Sequence, residues 1–288
     1  MHVQTGLFSR RAFMGGAAAA GAAAWVPRPA FGAAARPDSK FGGVQIGVIT
    51  YSYRSLPGGA EAVLQHVVNS GISSIELMGD VVEKYAGGSL EKVAALRKMF
   101  ADAGVGIHIV KFGNIGDKAV TDEKIEYYFN AAKALGAGAI TREISEEAAK
   151  RVGPVADRHG VKVAFHNHTQ INATTYDGPI LSYGKNLAIN LDIGHYVAAN
   201  DDCVLAVIEK YRDRIFSLHL KDRKNKAGKG ANMPFGQGDT PVPAALQLLK
   251  KSKLPIYADI ELEYPVPADS DAVKEVAKCV QFCKQALA

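Results

Sequence analysis

The sequence predicts an α/β protein that closes into a single (β/α)₈ (TIM) barrel, on three observations. From Val44 onward, short β-branched runs alternate with amphipathic helical runs eight times. These units fill about 245 residues, the usual size of such a barrel. The first strand runs into Thr50-Tyr51-Ser52-Tyr53-Arg54, where a doubly wound open sheet would usually carry a glycine-rich phosphate turn.

The elements follow in order. Val44–Tyr53 reads as a strand and Glu61–Ser70 as a helix ended by Gly71; Ser74–Met78 is the next strand, and Leu90–Ala103 a helix closed by Gly104. Val105–Phe112 and Ala139–Ile144 are the third and fourth strands, with a helix over Glu123–Leu135 between them and a second, capped by Ser145, running to His159. Val161–His168, an irregular segment and a short helix around Pro179–Tyr183 come next. Leu187–Asp192, Ile215–Lys221 and Pro255–Glu263 complete the strands. Their helices are Val204–Tyr211, Ala244–Lys251, after a loop of about 19 residues, and Asp271–Ala286. Ser, Thr or Asp before a helix and Gly after it supply side-chain acceptors and a left-handed end.

Residues 1–35 read as a twin-arginine signal peptide, with 36–43 as a linker and 44–288 as the barrel. Ser9-Arg10-Arg11-Ala12-Phe13-Met14 is followed by an Ala/Gly-rich apolar run, and Ala33-Ala34-Ala35 offers a cleavage site. The expected destination is periplasmic or secreted, with no stable membrane anchor after processing. The leader carries Arg10, Arg11 and Arg28 and no acid, so the formal charge of +5 falls by three to +2 without it. That balance argues against a nucleic-acid partner. Cys203, Cys279 and Cys283 are odd in number and lack disulfide-framework spacing. Cys279 and Cys283 stand one helical turn apart and are expected to pack.

Active sites of such barrels gather at the C-terminal ends of the strands. The second strand ends near Glu76; the third carries His108 and ends at Lys111; the fourth carries Arg142 and Glu143. The fifth ends His166-Asn167-His168, the sixth Asp192-Ile193-Gly194-His195, the seventh His219-Leu220-Lys221-Asp222 and the eighth Asp259-Ile260-Glu261-Leu262-Glu263. Of eight histidines, one is in the leader and four fall at the ends of the fifth, sixth and seventh strands. Imidazole and carboxylate at one mouth suit a divalent ion, with Mn²⁺, Zn²⁺, Co²⁺ and Mg²⁺ all open. Side chains alternate along a strand, so His166 and His168, His219 and Lys221, and Glu261 and Glu263 each share a face. Taken singly, each has a bland reading: a rim histidine, an Asp222 that caps a helix, a Glu263 that salt-bridges a loop. Convergence on neighbouring strands favours the metal.

These motifs, with Gly236-Gln237-Gly238-Asp239 between the last two strands, resemble the sugar phosphate isomerase/epimerase family of the xylose isomerase-like barrel superfamily. Inosose dehydratases and endonucleases of the apurinic type are related. The resemblance runs in order from about Val44 to the end. It implies a metal held by His166, Asp192, His219 and Glu261, with His195 and Lys221 contacting substrate oxygens. Lys111 and Glu263 are further candidate substrate contacts. One position departs from the family: sugar epimerases usually place a glutamate where His166 stands. Glu143 or His168 is then the candidate base, with Glu261 as the other catalytic carboxylate.

The resulting expectation is a metal-dependent sugar isomerase or epimerase that moves a proton α to a carbonyl. A metal-dependent lyase or dehydratase acting on a keto-sugar or 3-keto-glycoside is the alternative. A non-catalytic sugar-binding protein is the rival from another class. The partner is a small-molecule sugar or keto-sugar, and homo-oligomerisation is left open. The basic loop Arg223, Lys224, Lys226 and Lys229 reads as a solvated surface.

Overall fold

The computed structural model describes residues 36–288. The signal-peptide reading of 1–35 lies outside them. The segment read as a linker holds a two-residue strand, β1 (Lys40–Phe41), paired antiparallel with β2 (Val44–Ile49). Ser39, fully buried, anchors it: its Oγ donates to the Ile46 carbonyl at 2.6 Å.

Eight parallel strands then form the barrel. They are β2, β3 (Ser74–Met78), β4 (Gly106–Lys111), β5 (Ala139–Glu143), β6 (Lys162–His166), β7 (Leu187–Asp192), β8 (Ile215–Leu220) and β9 (Tyr257–Ile260). β2 also pairs with β9, in the register Gly47↔Asp259, and this closes the ring. The predicted first strand is therefore β2, and each later one carries the next label.

Helices cover the outside: α1 (Ala60–Asn69), α2 (Gly79–Ala86), α3 (Leu90–Asp102), α4 (Asp122–Leu135), α5 (Glu146–His159), α6 (Ile193–Ala199), α7 (Val204–Tyr211), α8 (Val242–Ser252) and α9 (Ala272–Ala286). Ser89, Thr121, Ser145 and Asp271 each accept a backbone N–H at a helix start. Gly136 and Gly160 close α4 and α5 in the left-handed region, φ 75° and 65°. The main core lies between strands and helices. A smaller apolar layer inside the ring, Ile109, Ala139, Ala164 and Ala188 against Phe216, floors the barrel. Cys279 and Cys283 are buried thiols on α9. Among the described residues no helix is long and apolar enough to cross a membrane.

Three strands end two or more residues short of expectation, each where side chains replace ladder hydrogen bonds. The first strand stops at Ile49, and Thr50–Tyr53 winds into a 3₁₀ turn. There Thr50 Oγ1 accepts from Met78 N at 2.9 Å and Ser52 Oγ from Leu262 N at 3.0 Å. The expected strand Val161–His168 stops at His166, because the Asn167 side chain accepts from Asp192 N and donates to Asp192 O, at 2.9 and 3.2 Å. The strand expected over Pro255–Glu263 is short, Tyr257–Ile260. Asp192 ends β7 and also caps α6, accepting from His195 N at 2.7 Å, so His195 sits in a helical turn.

Candidate metal centre

Every second residue of a strand faces the barrel axis. That rule carries His166, Asp192, His219 and Glu261 from four consecutive strand ends to one point. One ligand atom from each lies within 4.8 Å of all the others, and all four residues are buried. Asp192 Oδ2 is buried without a hydrogen bond of good geometry; its nearest cation is Lys221 Nζ at 3.1 Å. The ion pair supplies charge but no directed hydrogen bond, so Oδ2 keeps acceptor capacity within the cluster. Two imidazoles, two carboxylates and a free buried oxygen fit a borderline or hard divalent cation.

Burial and neighbouring charges set the protonation of these four groups in different directions. Burial, with the charges of His219 and Lys111 beside it, holds His166 well below the usual imidazole range, so it is neutral with a lone pair to offer. Burial would also lower His219, but Glu76 and Glu261 outweigh it and raise the imidazole to about 10. Burial raises the Asp192 carboxyl to about 6, with Lys221 opposing. For Glu261 burial is outweighed by Lys221 and His219, which keep the carboxyl ionised.

The remaining predicted residues surround the cluster. Lys221 Nζ is enclosed by Glu261 and Glu263, both at 2.8 Å, and by His195 Nε2 at 2.9 Å. Only 2% of its side chain is exposed, and it neutralises the surrounding carboxylates. His195 meets Arg223 through Nδ1. Burial and the cations of Lys221 and Arg223 lower it to about 2. Lys111 Nζ binds Glu143 Oε1 at 2.9 Å, while Glu143 Oε2 has no hydrogen-bond partner. His168 lies beyond the end of β6 with its side chain 55% exposed, 3.7 Å from that oxygen. Its expected place on the strand face of His166 is thus corrected. The two rings still lie 5.2 Å apart, and His166, His168 and His195 form a second group able to converge on a cation.

Two functional neighbours were not assigned from sequence. Glu76 Oε2 is 2.8 Å from His219 Nε2, and Asn190 touches His166, Glu76 and Ser217 at 2.9, 3.1 and 2.8 Å. Asn190 stands two residues before Asp192, so strand alternation already placed it inward. Asp222 is no helix cap. It accepts from the N–H groups of Gly236, Gly238 and Thr240 at 2.8, 2.9 and 3.2 Å and folds the loop after β8.

A closed parallel barrel with a His/Asp/Glu cluster at its C-terminal mouth defines a class of barrels whose mouth offers a donor set that could hold a cation. Within it, the chain belongs to the xylose isomerase-like TIM barrels, whose family model matches residues 64–284. It is 27% identical over 158 residues to an inosose dehydratase of Clostridium perfringens, covering 48% of this chain and 52% of that protein. The chain therefore spans about half the length of the curated relatives it matches. Among solved structures it is similar to the probable 3-DHS dehydratase AsbF of Bacillus anthracis, with TM-score 0.68 and 14% identity over 83% of this chain and 98% of that one. It is also similar to the D-psicose 3-epimerase of Clostridium cellulolyticum, with TM-score 0.64 and 14% identity over 85% and 99%. At these identities the two structures speak for the fold.

Proposed function

We propose that the protein is a metal-dependent sugar isomerase or epimerase that transfers a proton at the carbon next to a sugar carbonyl. One observation carries this reading: four buried ligand atoms converge within 4.8 Å beside a half-exposed carboxylate, Glu143, that has an unpartnered oxygen. A divalent ion held by His166, Asp192, His219 and Glu261 would supply Lewis-acid polarisation of the carbonyl. Glu143 Oε2 takes the proton from the adjacent carbon, and Lys111 holds its other oxygen at 2.9 Å. Glu261 follows β9, four strands round the ring from β5, so the two carboxylates flank the substrate from opposite sides. Return of that proton by Glu143 to the neighbouring carbon, with a hydroxyl proton passing to the former carbonyl oxygen, isomerises the sugar; a proton drawn from solvent through Glu261 and delivered on the opposite face, while Glu143 gives its own to solvent, inverts the centre. The sugar class is taken from the named relatives, one a dehydratase of an inosose and one an epimerase of psicose.

A second reading is elimination from a keto-sugar or 3-keto-glycoside. The closeness of His168 to Glu143, 3.7 Å, favours it, since an acid beside the base can protonate a leaving group on the same side. Incubating the metal-loaded protein with a panel of sugars and keto-sugars in D₂O separates the readings by NMR. Deuterium next to a carbonyl supports the isomerase, and an unsaturated product supports the lyase. No exchange with any member, in a protein that binds no metal, sinks both.

Export by the twin-arginine route is the accompanying proposal for residues 1–35. A variant with Arg10→Lys and Arg11→Lys should stay in the cytoplasmic fraction of an exporting host; equal export of the variant would refute it.

A further inference from the structure

The two histidines of the cluster are not held in the same way. Asn190 lies on β7 one layer below Asp192 and is fully buried. Its Nδ2 has two hydrogens and two good acceptors, Ser217 Oγ at 2.8 Å and Glu76 Oε2 at 3.1 Å. Turning the amide over would set its carbonyl oxygen against the Glu76 carboxylate. Oδ1 therefore faces His166 Nδ1, at 2.9 Å, and can only accept. His166 must carry its hydrogen on Nδ1, and its Nε2 lone pair is left for the centre.

His219 is held from the other end. Glu76 comes from β3, three strands round the ring from the β8 strand of His219, and its Oε2 accepts from His219 Nε2 at 2.8 Å. The 3.2 Å approach of Asn190 Nδ2 to that nitrogen is a contact between two donors, since both amide hydrogens are used elsewhere. His219 Nδ1 then faces Glu261 Oε2 at 3.2 Å. With hydrogen on Nε2 toward Glu76, Nδ1 is the nitrogen turned toward Glu261 and the rest of the cluster.

We infer that Asn190 and Glu76 are positioning residues that select which nitrogen each histidine presents to the ion: Nε2 of His166 and Nδ1 of His219. Such partners of ligating imidazoles fix tautomer and ring orientation. The inference rests on the metal-centre reading and adds a polarity to it.

Long-range ¹H–¹⁵N correlation NMR of the zinc-loaded, ¹⁵N-histidine-labelled protein reads the tautomers directly. The expected result is hydrogen on Nδ1 of His166 and on Nε2 of His219, with the opposite nitrogen of each shifted by zinc. The reverse pattern at either residue overturns the inference while leaving the metal centre standing. Failure to bind zinc at all removes the centre itself. As a second measurement, Asn190→Leu should weaken zinc binding by about 10–100-fold; wild-type affinity would overturn the inference. If that variant does not fold, the wild-type spectrum decides alone.

Discussion

Lys221 and Glu261 form an ion pair at 2.8 Å inside the cluster that is proposed to hold the metal. The same ammonium reaches Asp192 at 3.1 Å and Glu263 at 2.8 Å. Without an ion, it is the nearest neutralising charge for all three carboxylates. Removing one partner of a buried pair costs about 3–5 kcal/mol. Lys221→Met should therefore destabilise the metal-free protein by about that amount. A saturating divalent ion, which binds only the folded state, should then stabilise the variant more than the wild type. Denaturant melts with and without Mn²⁺ test this, and equal gains in the two proteins would contradict it.

His219 supplies a pH signature. Glu76 and Glu261 overcome burial and raise its imidazole from 6.5 to about 10. A base whose folded value is raised contributes stability fully below pH 6.5, and loses it as pH rises through about 10. Stability of the metal-free protein should decline across that window. With an ion on Nδ1 there is no proton to lose there, so the decline should flatten. Thermal melts between pH 6.5 and 10, with and without Zn²⁺, check both slopes.

Glu143 is the proposed base. Glu143→Gln keeps the shape and the contact side of the residue but cannot accept the proton. Solvent deuterium incorporation should fall by about 10²–10⁴-fold, with metal affinity unchanged. Incorporation at the wild-type rate would move the role to His168.

Gly47 tests the packing beneath the site. A Cβ there would stand 2.0 Å from Asp259 Oδ1 and 3.1 Å from Ser74 O. Asp259 cannot retreat freely, because its other oxygen holds His108 Nε2 at 2.9 Å in the barrel interior. Gly47→Ala should cost about 1–3 kcal/mol by overpacking. A denaturation midpoint equal to wild type would show that the Asp259 pair is looser than its geometry implies.

Much of this centre was legible because a barrel converts sequence position into place. Asp192 and His219 lie at the ends of strands expected over Leu187–Asp192 and Ile215–Lys221, from short apolar runs bounded by polar turns, and found over Leu187–Asp192 and Ile215–Leu220. Strand alternation then turned both inward. Patterning alone sets His168 on the strand face of His166, because it does not register that Asn167 ends the strand with its own side chain. His195 was read on a strand end since α6 is only seven residues long and starts directly on the Asp192 cap. Gly194 permits that start: a Cβ would lie 2.3 Å from Lys221 O. Alternation along the strand turns Asn190 inward, but nothing local marks Glu76 as its partner. Glu76 is 143 residues from His219, and only closure of the ring brings them together.

The central claim is a divalent ion held by His166, Asp192, His219 and Glu261, and metal content tests it most directly. Exhaustively dialysed protein, reloaded with Mn²⁺ or Zn²⁺ and assayed by elemental analysis, should hold the ion stoichiometrically. The double variant Asp192→Ala with His219→Ala, folded by circular dichroism, should hold none. Stoichiometric metal retained by the double variant would contradict the assignment.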